Sequence, residues 1–235
     1  MNSIEKRAIA GVGGIFALRM IGLFMIVPVF SVYGINYTHA TPFLIGLAVG
    51  IYGLGQAIFQ IPMSMAADKF PRKPMIFFGL LLFALGGIVA ATATDIYQVI
   101  IGRALAGSGA VSAVLMALLA DVTREQVRTK AMATMGLTIA TSIMLSFAIG
   151  PMMVASLGIS GLFWLTAVFA VLAMVLLLIV PTPLRVLKHN LANQSIGEQL
   201  KEVLRIGDLN RLHVSIFALH LTMTAIFVIV PHQLG

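Results

Sequence analysis

Cysteine is absent from this chain, tryptophan occurs once, and only eight of 235 residues are acidic. Without cysteine there is neither a disulfide nor a thiolate metal site. The acids are Glu5, Asp68, Asp95, Asp121, Glu125, Glu198, Glu202 and Asp208, and each falls at the end of an apolar stretch or between two, never inside one. His-Glu-x-x-His and Gly-x-Ser-x-Gly are missing as well, so the sequence offers no hydrolytic or metal-dependent active site. An enzyme is not expected, nor is a cofactor or a metal. One more scarcity is positional: the stretches around 35–42, 94–96 and 157–159 contain no Lys or Arg at all.

What is present is apolar. Sixty per cent of residues are hydrophobic, 10% are charged and mean hydropathy is +1.03, whereas a soluble domain is about a quarter charged. Seven apolar runs of the length needed to cross a bilayer lie at roughly 9–34, 43–67, 74–93, 97–120, 131–156, 160–181 and 212–231. Pro28, Pro62 and Pro151 sit inside such runs, which neighbouring helices tolerate by re-satisfying the freed backbone groups. The first run is too long for a signal peptide and ends in no small-residue cleavage site. The expected fold is an all-α, polytopic membrane bundle with the lipid bilayer as its first partner.

The net charge of +7 is distributed for topology and gives no reason to expect nucleic acid. Thirteen of the fifteen Lys and Arg residues lie before run 1 or between runs 2 and 3, 4 and 5, or 6 and 7. The positive-inside rule makes that side, and the N-terminus with it, cytoplasmic. The other two, Arg19 and Arg103, are inside runs. A cation there costs ~2.5–3.5 kcal/mol on insertion scales and needs a polar cavity or a bonded partner.

The connections are short apart from the stretch that begins at Pro181-Thr182-Pro183, where run 6 must stop. Within it Ser195-Ile196-Gly197-Glu198 reads as a capping box for a short helix. That helix, with Leu200, Val203 and Leu204 on one face, either lies on the membrane surface or is part of a solvated linker. The expected division is a six-helix bundle over 1–184, a linker over 185–210, and a seventh helix over 211–235. Run 7 echoes run 1: Ile15-Phe16-Ala17-Leu18-Arg19 returns as Ile216-Phe217-Ala218-Leu219-His220, and Ile-Val-Pro follows each, ending at Pro28 and Pro231.

Between runs 2 and 3 the charged stretch Asp68-Lys69-Phe70-Pro71-Arg72-Lys73 places Asp68 and Arg72 four residues apart, within pairing reach. It resembles the Gly-x-x-x-Asp-Arg-x-Gly-Arg-Arg/Lys loop of the Major Facilitator Superfamily of transporters. Asp68, Arg72 and Lys73 match; Ser64, Lys69 and Pro71 replace the glycines and the first arginine. In that family the Asp, the Arg and an acid at the end of helix 4 form a charge cluster that latches one conformational state, and Asp121 stands at the third place. The alternative is that the basic residues only enforce topology. Arg103-Ala104-Leu105-Ala106-Gly107-Ser108-Gly109 is similar to the family's Arg-x-x-Gln-Gly-x-Gly, with Ala106 for Gln. The resemblance makes Arg103 a cavity residue in coupling; bonding to backbone carbonyls is the other reading. Gly107 and Gly109 supply a small face for close packing.

Arg19 is about ten residues into run 1, too deep to reach the interface, and is either a pathway residue or a tie to another helix. Gly22 and Pro28-Val29 resemble the helix-1 signature of drug:proton antiporters. Gly150-Pro151 keeps the central pair of the antiporter pattern Gly-x-x-x-Gly-Pro-x-x-Gly-Gly and makes a bend and a close contact. Gln56 and Gln60, one turn apart, share a face that lines a cavity or bonds across helices. With no acid in any span, proton exchange falls to His220 or to residues outside this chain.

The resemblance covers essentially the whole chain and implies the six-helix N-terminal half of such a transporter plus helix 7, in the bacterial inner membrane, with a C-terminal half as partner. It implies alternating access about a midplane site, with proton-coupled efflux of hydrophobic small molecules as the first reading. A carrier of organic anions held by Arg19 or Arg103 is the rival, and a half-fold membrane scaffold is the reading from another class.

Overall fold

The computed structural model describes residues 1–182 and 204–234, the latter without side chains at 220, 223–224 and 227–234. The chain divides into two units, Met1–Leu187 and Lys188–Gly235. The elements of the first are α1 (Ser3–Phe24), α2 (Val27–Tyr33), a 3-10 turn (Gly34–Asn36), α3 (Pro42–Lys69), α4 (Arg72–Ala91), α5 (Ile96–Ser108), α6 (Ser112–Val122) and α7 (Glu125–Ile179). The second contains α8 (Gly207–Leu234), the seventh expected segment. Its helix begins at Gly207, inside the stretch read from sequence as linker, and the proposed capping box Ser195–Glu198 lies outside the described residues. Apart from one isolated bridge, Thr38 to Asp95, all regular structure among the described residues is helical.

Starts and breaks follow local chemistry. Asn2 caps α1 and forms a reciprocal capping box with Glu5; Thr41 caps α3 ahead of Pro42. The first apolar run is not one helix: α1 ends at Phe24 and α2 restarts with Pro28 in its first turn, where a missing N–H costs nothing. Pro62 and Pro151, in contrast, lie within continuous α3 and α7. The fourth run is also divided, since the chain leaves the helix at Gly109 (φ −73°, ψ 49°) and resumes at Ser112.

Helix α7 has 55 residues, which at 1.5 Å per residue is about 80 Å, far beyond the ~30 Å of a bilayer core. It is two spans joined at Gly158, whose φ of +69° is outside the helical region and suits only glycine at low cost. Their course follows from packing on α1. Gly11 and Gly13 pack against Val180 and Met135, while Gly22 and Met25 pack against Thr166 and Gly150. Residues 135 and 180 thus flank one end of α1, and 150 and 166 flank its further part. The chain runs out along α1 as 125–157 and returns as 159–179. Among the described residues five helical stretches are long and apolar enough to cross a membrane; counting the fold at Gly158, the first unit holds six segments of that kind.

The buried apolar side chains form three clusters stacked along the bundle. Phe16, Ile76, Leu80, Leu115 and Leu118 anchor the one nearest the N-terminus, and Phe30, Ile45, Ile96 and Phe163 the one at the opposite end. Between them Tyr52, Phe83, Ala84, Ala106 and Ala170 form a small middle cluster.

Candidate functional site: an arginine layer and a charge clasp

Both arginines predicted to lie inside the membrane belong to that middle layer. Arg19 on α1 is 1% exposed. It donates through Nη1 to Ser112 Oγ (2.8 Å) and through Nη2 to Tyr52 Oη and to the Gly109 carbonyl (3.0 Å each). Its Cζ lies 5.6 Å from the Phe83 ring centroid, and its Nε is buried without a partner. Arg103 on α5 is 5% exposed. It donates through Nε to the Ala48 carbonyl (3.0 Å) and through Nη2 to the Val49 carbonyl (3.2 Å), with Cζ 5.3 Å from the Tyr52 ring centroid. Tyr52 therefore serves both cations: its hydroxyl accepts from one and its π-face receives the other. Neither arginine has a carboxylate partner among the described residues.

Glycines bring the helices close enough for this. A Cβ on Gly107 would overlap the Tyr52 carbonyl, and one on Gly109 the Gly79 carbonyl. Gly150 approaches the Met25 carbonyl, where a Cβ would lie 2.7 Å away, and Pro151 follows it within the helix. Gln56 and Gln60 are half-buried on α3 and form no hydrogen bond among the described residues. His220 falls on α8 by its backbone, and its side chain lies outside the described residues.

At the basic end of the bundle the structure brings Asp68, Arg72 and Asp121 together. Arg72 Nε is 2.5 Å from Asp121 Oδ2 and Nη1 is 3.2 Å from Asp68 Oδ1; Nη1 also approaches the Ala67 carbonyl. Lys73, next along α4, is half-buried and forms no ion pair among the described residues. A second clasp adjoins. Glu5, 1% exposed, accepts from Arg124 Nε (2.7 Å) and Nη2 (3.3 Å) and from the Asn2 backbone N–H (2.7 Å), tying the start of α1 to the α6–α7 junction.

The opposite end has its own tie. Thr38 bonds to the Thr94 carbonyl and to Asp95, and His39 Nδ1 lies 2.5 Å from Asp95 Oδ2. Asp95 also caps α5. The Tyr97 N–H first, and His39 second, hold its carboxyl below the usual carboxylate range.

Sequence reasoning missed Tyr52, Ser112, Glu5 and Arg124. Tyr52 had a signal, being a buried phenol on a glycine-rich apolar helix, which needs a partner for its hydroxyl. Ser112 had none, because the helix break that gives it a role is not visible as periodicity.

The model of the Major Facilitator Superfamily matches residues 12–234. The chain belongs to that family. Similar proteins include the inner membrane transport protein YajR of Escherichia coli (42% identical, covering all of this chain and 52% of that protein). Multidrug resistance protein 2 of Bacillus subtilis is 28% identical over 83% of this chain and 48% of its own length. Among solved structures, the inward-open xylose transporter XylE of E. coli superposes with a TM-score of 0.68 at 18% identity, over 98% of this chain and 63% of that one. This Major Facilitator chain thus spans about half the length of the curated relatives named. Family and fold make it a multi-pass bacterial membrane protein of a transporter family, grouped with carriers and not with enzymes.

Proposed function

We propose that this Major Facilitator chain belongs to a proton-coupled exporter of hydrophobic small molecules that works by alternating access, with its N-terminus in the cytoplasm. The observation that carries this reading is the burial of Arg19 and Arg103. Both are at most 5% exposed although α3 and α7 beside them present open faces, so neither guanidinium is offered to an anionic solute. What those faces expose is apolar: Leu54, Ile58 and Phe59 on α3, and Leu137, Met144 and Met152 on α7. Similarity to a protein named for multidrug resistance points the same way. In this reading Asp68, Arg72 and Asp121 stabilise one conformational state, and His220, whose ordinary pKa of ~6.5 suits proton exchange, is the candidate proton acceptor within this chain. In this reading the second bundle, the partner of the one described, is a C-terminal half.

The rival is a carrier of organic anions, favoured by two buried cations that have no carboxylate partner among the described residues. One assay separates them. Full-length protein in inside-out vesicles is given a lipophilic cationic dye or a radiolabelled organic anion, with and without protonophore. Export predicts dye movement that protonophore abolishes and that Arg19→Gln alters without changing dye selectivity. Movement of the anion alone, lost in Arg19→Gln or Arg103→Gln, would establish the rival. No movement of either solute by a folded protein leaves the scaffold reading.

A further inference from the structure

The fourth membrane crossing is broken at its centre, and the break is held by a residue from another helix. After Ser108 the chain leaves the helix, the Val111 N–H turns back to the Gly109 carbonyl (2.9 Å), and α6 starts without a side-chain cap. A backbone break at this depth, among Ala110 and Val111 at 0% exposure, needs donors from neighbouring groups. Arg19 supplies them on both sides: Nη2 to the Gly109 carbonyl at the end of α5, and Nη1 to Ser112 Oγ at the start of α6. Its remaining bond, to Tyr52, fixes the pin to α3.

The short helix beyond the break has a second fixed end. α6 has 11 residues, about 16 Å of rigid rod. It begins at Ser112, held by Arg19, and carries Asp121, held by Arg72, in its last turn. Thr123 is buried and bonds back to the Leu119 carbonyl, and Arg124 is fixed to Glu5. A rod pinned at both ends moves at neither or at both, and rigid elements of this kind carry coupling between distant sites.

We infer that α6 is a lever: the break at 109–111 is its joint, Arg19 is the pin, and release of the Arg72–Asp121 clasp and release of the pin are coupled. Arg19 is then a positioning residue that acts on transport through the joint and never touches the solute. The inference rests on the transporter reading for its purpose, but its test reads the joint without measuring transport.

The chain has no cysteine, so one placed at position 111 reports on the joint. In the full-length protein, with any cysteines elsewhere replaced, Val111→Cys is labelled with a membrane-permeant maleimide. The expected result is slow labelling in the otherwise unaltered protein, rising at least fivefold with Arg19→Gln and about threefold with Ser112→Ala, with Arg19→Lys in between. The deciding variant is Asp121→Asn, roughly 15 Å from the reporter by helical rise, which must also raise labelling at least threefold, as reciprocity of coupling requires. Ser112→Ala added to Arg19→Gln should change nothing further. Labelling unmoved by Asp121→Asn overturns the lever, and labelling unmoved by both Arg19→Gln and Ser112→Ala overturns the pin. Should Arg19→Gln not reach the membrane, Ser112→Ala and Asp121→Asn decide by the same criteria.

Discussion

Arg19 and Arg72 carry the same guanidinium into two regions of the bundle that hold it by opposite means. At the basic end Arg72, 18% exposed, sits between the carboxylates of Asp121 and Asp68. In the middle layer Arg19 and Arg103 are held by carbonyls, hydroxyls and aromatic faces, with no carboxylate partner among the described residues. The difference follows from where water can help. Asp68 and Asp121 at the bundle end keep part of their hydration, whereas a carboxylate buried beside Arg19 would add its own desolvation of several kcal/mol to that of the cation. Neutral acceptors already present in the helices avoid that second cost. The end clasp therefore rests on charge and is open to salt; the middle layer rests on close packing.

If packing is what holds the middle layer, crowding it should do the greatest damage. Gly107→Val places a branched side chain where the Tyr52 carbonyl already lies, forcing α5 away from α3 and Arg103 from its Ala48 and Val49 acceptors. A loss of about 3 kcal/mol, the upper part of the overpacking range, is expected. It should appear as a large fall in melting temperature and in the monodisperse fraction in mild detergent. A variant as stable as the parent would mean that the layer is not close-packed.

The clasp comes next, and its two acids should not be equal. Asp121 is 16% exposed and 2.5 Å from Arg72, while Asp68 is 51% exposed and 3.2 Å away. Asp121→Asn should cost about 1.5–3 kcal/mol, the range for a hydrogen bond to a charged group. Asp68→Asn should cost less than ~1 kcal/mol, as exposed pairs do. Thermal melts of both variants read the difference. Equal effects would show the three residues acting as one exposed network.

Tyr52→Phe sharpens the contrast. It removes the hydroxyl that Arg19 uses and leaves the ring under Arg103, so about 1.5 kcal/mol, the low end for a hydrogen bond to a charged group, is at stake. The loss should be unchanged between low and ~1 M salt, where the Debye length is only ~3 Å. The Asp121→Asn loss should shrink over the same range. A salt-sensitive Tyr52→Phe would place mobile charge in the middle layer and defeat the comparison.

These two ways of holding an arginine also explain what was legible in the sequence. The apolar segments of the first unit were, because apolar length alone selects them, and the nearness of Asp68 and Arg72 was, because only the short turn between α3 and α4 separates them. The acceptors of Arg19 and Arg103 were not. Backbone carbonyls carry no sequence signature, and Ser112 gains its role only from a break that the uninterrupted apolar run 97–120 conceals. Runs 1 and 4 each turned out to be two helices for different reasons, a proline restart at Pro28 and glycine packing at Gly107 and Gly109. Glu5 was visible in the sequence only as one of eight acids outside the apolar runs, and its bond to Arg124, 119 residues away, depends on the tertiary fold alone.

The smallest effect lies at the end opposite the basic one, where Asp95 gathers the Tyr97 N–H, His39 and Thr38. Its carboxyl is held below the ordinary value, chiefly by the Tyr97 N–H and then by His39. A group whose folded pKa is depressed contributes stability above its unfolded value, near ~3.9 for Asp, and loses it as pH falls through the lower folded value. Asp95→Asn keeps an oxygen that caps α5 but removes the charge. The melting temperature of the parent should therefore exceed that of Asp95→Asn at neutral pH, and the gap should close as the pH falls below about 4. His39→Ala should narrow the neutral-pH gap and leave its acid limb in place, since the Tyr97 N–H is the larger cause. A gap that persists undiminished at pH 3 would mean that the cap, and not the charge, holds this end together.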